Sequence, residues 1–113
     1  ELHVGRDAPL AAALILQHLV TTGQPLSALV AAAPRYSIVK AKAPRSGDLA
    51  GREAALRAAF PDAAADDRDG LRLSWSDRWL HVRPSGTEPI VRLIAEAPTV
   101  AEAEALVDKA RSV

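Results

Sequence analysis

The chain has 113 residues, with 14 Lys and Arg against 14 Asp and Glu, no formal net charge and no cysteine. At 49% hydrophobic and 25% charged it has the size and composition of one globular domain rather than of a disordered chain. The charge balance excludes a general nucleic-acid binder, which needs a cationic excess to displace counterions, and the missing cysteines exclude disulfides and thiolate zinc sites.

In chain order, Asp7 is placed to cap a helix with Pro9 in its first turn, running to about Thr22 and stopped by Gly23. Its middle, residues 11–16, is apolar all round, so it expects protein on most sides. The run 8–20 is too short to cross a membrane and contains Gln17 and His18. No basic start or small-residue cleavage site suggests a signal peptide. Arg6 and Asp7 are read as capping and a salt bridge. A second short helix, "PLSALVAAA", ends at Pro34, which makes residues 1–34 a helical hairpin in need of a larger partner. The chain starts with Glu1 and contains no Met, the expected look of a piece of a longer or processed protein.

From Arg35 the texture changes. "RYSIVKAKA" alternates as a strand does, with Tyr36, Ile38 and Lys40 opposite Ser37 and Val39. "DLAGREAALRAAF" is a helix capped by Asp48, with Leu49, Leu56 and Phe60 near one stripe. "DDRDG" is a turn in which Gly70 can take a positive φ. "LRLSW" puts Leu71, Leu73 and Trp75 on one face, "SD" turns the chain, and "RWLHVR" follows. There Leu80 and Val82 share one face, and Trp79, His81 and Arg83 the other. "IVRLIAEA" is a further strand. Thr99 and Glu102 form a capping box, and Val100, Ala103, Leu106, Val107 and Ala110 a helical stripe. The order β-α-β-β-β-α predicts an α+β domain: an antiparallel four-stranded sheet with two helices on one face, preceded by a helical segment. There is room for one more short strand near residues 63–66.

Between the last two strands stands "RPSGTEP", residues 83–89. Pro84 and Pro89 fix φ on both sides, and Gly86 lets the backbone bend back or come close to a ligand. Ser85 and Thr87 supply hydroxyls, and Arg83 a planar fork of donors. Arg92 on the outgoing strand is near enough to point back. Fixed hydroxyls, inward amides and guanidiniums are what a phosphate dianion requires. On spacing alone the stretch fits a rigid hairpin turn equally well. No base stands beside Ser85 in sequence to make it a nucleophile. His3, His18 and His81 are scattered, which is not metal-site spacing. Trp75 and Trp79 are read as packing residues, and His81 as a partly exposed strand residue.

"RPSGTEP" followed by "IVRLIAEA" resembles the C-terminal phosphate-binding loop of the α-D-phosphohexomutases, the phosphoglucomutases, phosphomannomutases and phosphoglucosamine mutases. "ELHVGRDAPLAAALILQHL" resembles the segment after the sugar-binding loop of that family's third domain, and "PLSALVAAAPRYSIVKAKAP" the passage into its fourth. The resemblance implies that residues 1–34 are the helical tail of domain three and that 35–113 are domain four, with its TATA-binding-protein-like arrangement. In that family a phosphoserine exchanges a phosphoryl group with a hexose monophosphate, and one site holds the non-reacting phosphate. Carried onto this chain, the site is Arg83, Ser85, Gly86, Thr87 and Arg92, with Glu88 and the prolines shaping the loop. Domain four is then expected to swing shut over the hexose phosphate and exclude water.

The departures from the family pattern are specific. The reactive serine's Ser-His-Asn-Pro context and the DGDGDR-type Mg²⁺ loop are absent, and "DDRDG" lacks that spacing. The resemblance therefore implies no catalytic residue and no cofactor in this chain, which alone is expected to be inactive. Mg²⁺ is expected in the full-length enzyme, together with its N-terminal domains as partners and a cytoplasmic location. Association through helix 8–22 is a further expectation; nucleic acid and membrane are not expected partners. The alternative reading is a stand-alone phosphosugar-binding module without chemistry. The orphan apolar helix favours the enzyme, because a free module would not leave it uncovered.

Overall fold

The computed structural model describes residues 7–45 and 47–113, with Leu49 described by its backbone alone. His3, Arg6 and the side chain of Leu49 lie outside the described residues. The chain divides into two compact units, residues 1–34 and 35–113.

The first unit holds α1 (Ala8–Thr22) and α2 (Leu26–Ala32). An Asp7 carboxylate oxygen accepts from Leu10 N–H at 2.8 Å, and Gly23 closes α1 at φ 65° with its N–H donating to Leu19. Both ends thus follow the capping signals in the sequence. No residue of α1 or α2 is buried, and Leu14, Leu16 and Val20 are exposed. Among the described residues no helix is long and apolar enough to cross a membrane.

The second unit is an α+β domain. Its elements are β1 (Ser37–Pro44), α3 (Leu49–Ala59), β2 (Ala64–Asp66), β3 (Leu71–Ser74), β4 (Trp79–Pro84), β5 (Ile90–Ala97) and α4 (Val100–Arg111). The strands form one antiparallel sheet in the order β1-β5-β4-β3-β2. It holds five strands rather than the expected four. The extra one is the three-residue β2, which adds itself to the free edge of β3 where the sequence left room for a short strand.

Alternation sorts the strands into two faces. Leu71, Leu73, Leu80, Val82, Val91, Leu93, Ala95 and Ala97 are buried, together with Leu56 and Phe60 at the end of α3 and Ala103, Val107 and Ala110 of α4. Both helices therefore cover the same side. The stripe of α4 uses small residues, which let the helix lie close to the sheet; Val100, which opens the helix, is exposed. Thr99 and Glu102 make the reciprocal capping box, and Asp48 accepts from Ala50 and Gly51 N–H at 3.0 Å each. Trp75 N–H donates to the Arg78 carbonyl at 2.9 Å, closing the two-residue Ser76–Asp77 turn. Within this unit no described helix covers the other face of the sheet, which carries Ile38, Lys40, Lys42, Arg92, Ile94, Glu96, Trp79, His81, Arg83 and Arg72.

Candidate functional site

The loop 85–89 joins two interior strands of the sheet, β4 and β5. Ser85 N–H donates to the Ile90 carbonyl at 2.9 Å, which closes the hairpin. Arg45 N–H donates to the Pro89 carbonyl at 3.0 Å, which ties the loop to the end of β1. With Pro84 and Pro89 at its ends, the loop is held from both sides.

Ser85 is 6% exposed, and its hydroxyl oxygen accepts from Thr87 N–H at 3.4 Å. No histidine or carboxylate hydrogen-bonds that hydroxyl among the described residues. The hydroxyl proton and the amides of Gly86 and Glu88 have no partner there either. Gly86 opens the bend of residues 86–89 without adopting a positive φ. A Cβ built on it meets no atom within 4 Å. Its small size leaves open space over the loop.

The cations come from the strands. Arg83 stands directly opposite Arg92 in the β4–β5 register, and Arg92 directly opposite Lys42 in the β5–β1 register. Three like charges in one cross-strand row repel each other. Two carboxylates offset this. Asp69 accepts from Arg83 Nη1 at 2.9 Å, and one oxygen of Glu88 lies 3.6 Å from Lys42 Nζ and 3.8 Å from Arg92 Nη2. Arg92 thus reaches the loop through Glu88, while the Arg83 fork is engaged by the turn before β3.

That turn is built to receive it. Gly70 has φ +71°, and a Cβ there would lie 2.6 Å from the Val82 carbonyl oxygen and 2.7 Å from Arg83 Cβ. His81 Nε2 donates to the Asp69 carbonyl at 2.6 Å, so two side chains of β4 grip one residue of the turn. Within the same turn the Arg68 guanidinium hydrogen-bonds the Asp66 carboxylate, which holds that carboxyl down at about 2. The Arg78 guanidinium lowers Asp77 in the same way.

The two tryptophans are engaged elsewhere. Trp75 packs edge-on against Phe60 at 5.7 Å and donates to Asp62; Trp79 donates to Glu96, with the Arg72 guanidinium 4.6 Å above its ring. Among the described residues no group of three His, Asp or Glu could hold a metal ion.

The structure therefore brings together Arg83 and Arg92, and links Ser85 to Thr87 around Gly86. Sequence reasoning missed Lys42 and Asp69. Lys42 keeps the phase of Ile38 and Lys40, which was a usable signal for its face, but only the strand register puts it beside Arg92. Nothing local marks Asp69, whose partner lies 14 residues away.

Compared with known proteins, residues 38–113 match the phosphoglucomutase/phosphomannomutase C-terminal domain. A probable phosphoglucosamine mutase of Methanopyrus kandleri is 37% identical over 96% of this chain and 25% of its own length. A second, from Thermococcus gammatolerans, is 37% identical over 92% of this chain and 24% of its own. A phosphoglucomutase/phosphomannomutase of Thermococcus kodakarensis is 34% identical over 83% and 21%. The chain spans about a quarter of the length of the curated relatives it matches.

Proposed function

The chain belongs to the phosphoglucomutase/phosphomannomutase C-terminal domain family, and from that premise we propose that it is the part of a phosphohexomutase that holds the non-reacting phosphate of a hexose phosphate. The observation that carries this is the juxtaposition of Arg83 and Arg92 directly across two strands, at the mouth of a doubly anchored loop.

A phosphate dianion needs positive charge and several fixed donors. The two guanidiniums supply the charge. Ser85, Thr87 and the amides of Gly86 and Glu88, which have no partner among the described residues, supply donors that the hairpin already holds in place. Gly86 keeps the approach clear. None of these groups has to react. Their part is to hold one phosphate while the other end of the sugar meets the chemistry.

On this reading residues 1–34 are the tail of the preceding domain and 35–113 the phosphate-binding domain. On the same reading the phosphoserine and Mg²⁺ belong to other segments of the full enzyme. The apolar helix α1 is the surface on which those other segments pack, and the enzyme works in the cytoplasm.

The test is an amide NMR titration with glucose 1-phosphate, mannose 1-phosphate and inorganic phosphate, following Ser85, Gly86, Thr87 and Arg92. Saturable shifts centred on the loop, alike for all three and lost in Arg83→Ala, are expected. No shift at millimolar ligand would remove the phosphate role.

A further inference from the structure

The row Lys42–Arg92–Arg83 puts like charges directly opposite each other on two strand pairs, an arrangement that disfavours the folded state unless anions sit among them. The two anions present are held differently. Asp69 meets Arg83 at 2.9 Å, the length of a charge-assisted hydrogen bond. Glu88 presents one oxygen to two cations and reaches neither at that length, standing 3.6 Å from Lys42 and 3.8 Å from Arg92. All three side chains of this second group are about half exposed or more, so the pairs are screened and weakly held.

Beside them the open face of the sheet is hollowed. A depression of about 430 Å³ is lined by Lys40, Ala41, Lys42, Arg92 and Ile94, three cations and no carboxylate. A phosphate could touch Lys42 and Arg92 with different oxygens, each at full hydrogen-bond length. The single Glu88 oxygen that faces both cations reaches neither at that length.

We propose that Lys42 is a further cation of the phosphate site, and that the Glu88 carboxylate is its internal placeholder, neutralising Lys42 and Arg92 in the empty site and swinging away when a phosphate arrives. The inference rests on the reading of the 83–89 loop as a phosphate cradle. The backbone need not move. Pro89 follows Glu88, and the Glu88 carbonyl accepts from Ile90 N–H at 2.8 Å, so rotation of one side chain suffices. Glu88 thereby keeps a repulsive row in one piece without filling it tightly enough to exclude the ligand.

The experiment measures inorganic phosphate affinity by NMR on the 113-residue chain, in wild type, Glu88→Gln, Lys42→Gln and the double variant. Glu104→Gln, an exposed change on α4, controls for net charge. Glu88→Gln is expected to bind about three- to fivefold tighter and Lys42→Gln weaker by a similar factor. The gain from Glu88→Gln should shrink once Lys42 is gone. Equal or weaker binding by Glu88→Gln, with wild type binding and Arg83→Ala not, overturns the placeholder and leaves the cradle standing. An equal gain from Glu104→Gln also overturns it, as a charge effect without a place. Unchanged affinity in Lys42→Gln removes Lys42 from the site. Binding by Glu88→Gln where wild type shows none supports the placeholder. No binding by either overturns the cradle and this inference together.

Discussion

A Cβ on Gly70 would stand 2.7 Å from Arg83 Cβ and 2.9 Å from Arg83 Cα, so the turn before β3 and the first cation of the loop meet with no room for a side chain between them. Gly70 also holds φ +71°, where an L-residue is strained by about 1–2 kcal/mol. The obstructing atoms include backbone, which cannot rotate away. Gly70→Ala is therefore expected to cost at least about 2 kcal/mol and to lower Tm by about 10 °C in a thermal unfolding scan. A Tm close to wild type would show that the turn can shift without disturbing β4.

Gly86→Ala should behave in the opposite way. Its φ lies outside the left-handed region and no atom stands within 4 Å of the new Cβ. Stability should change by less than about 0.5 kcal/mol. Phosphate affinity should fall by about tenfold, the scale of one lost charge-assisted hydrogen bond. Paired unfolding and titration measurements separate the two effects. Unimpaired binding would mean the ligand does not approach over Gly86.

Acid should loosen the turn before β3. The Arg68 guanidinium holds Asp66 at about 2, below its usual value of about 3.9 in an unfolded chain. A depressed carboxyl contributes stability above its unfolded pKa and loses it as the pH falls through the folded one. The contribution is thus full above about pH 4 and fades towards pH 2. Carboxyl ¹³C titration should find Asp66 low in wild type and back in the ordinary range in Arg68→Gln. An unchanged Asp66 in that variant would rule out the Arg68 hydrogen bond as the cause.

Thr99→Ala removes the hydroxyl that accepts from Glu102 N–H at 3.3 Å and donates to its carboxylate at 2.8 Å. The loss of this cap is expected to cost about 1 kcal/mol, read as a lower denaturant midpoint with an unchanged slope. A changed slope would mean that α4 frays as a unit instead.

Leu93 lies on the interior strand β5 between Val82 of β4 and Ala41 of β1, and is 1% exposed. Leu93→Ala should destabilise the domain by about 3 kcal/mol through lost burial and the cavity left behind. A loss below about 1 kcal/mol in denaturant unfolding would indicate that the sheet collapses around the gap.

Much of the fold was legible because its signals are local. Asp7, Asp48 and Thr99 each sit next to the amides they cap, and Gly23 and Gly70 are glycines because of their own φ. Alternation sorted Leu71, Leu73, Leu80 and Val82 from Trp79, His81 and Arg83 without a partner strand in view. The short strand 64–66 was only half legible: three residues of Ala-Ala-Asp have little strand character of their own, and β3 offers them an edge to pair with.

The sequence by itself determined which residues form the loop, that both its ends are stiff, and which face of each strand carries charge, since these depend on neighbours a few residues apart. Only the tertiary structure decided that β5 lies between β1 and β4, and with it that Lys42, Arg92 and Arg83 stand in one row. It alone set Glu88 between two of those cations and Asp69 against the third. Register depends on how a whole strand pairs to bury its apolar side. The partner across the ladder is fixed by that burial, and no residue carries its partner's position in its own local pattern.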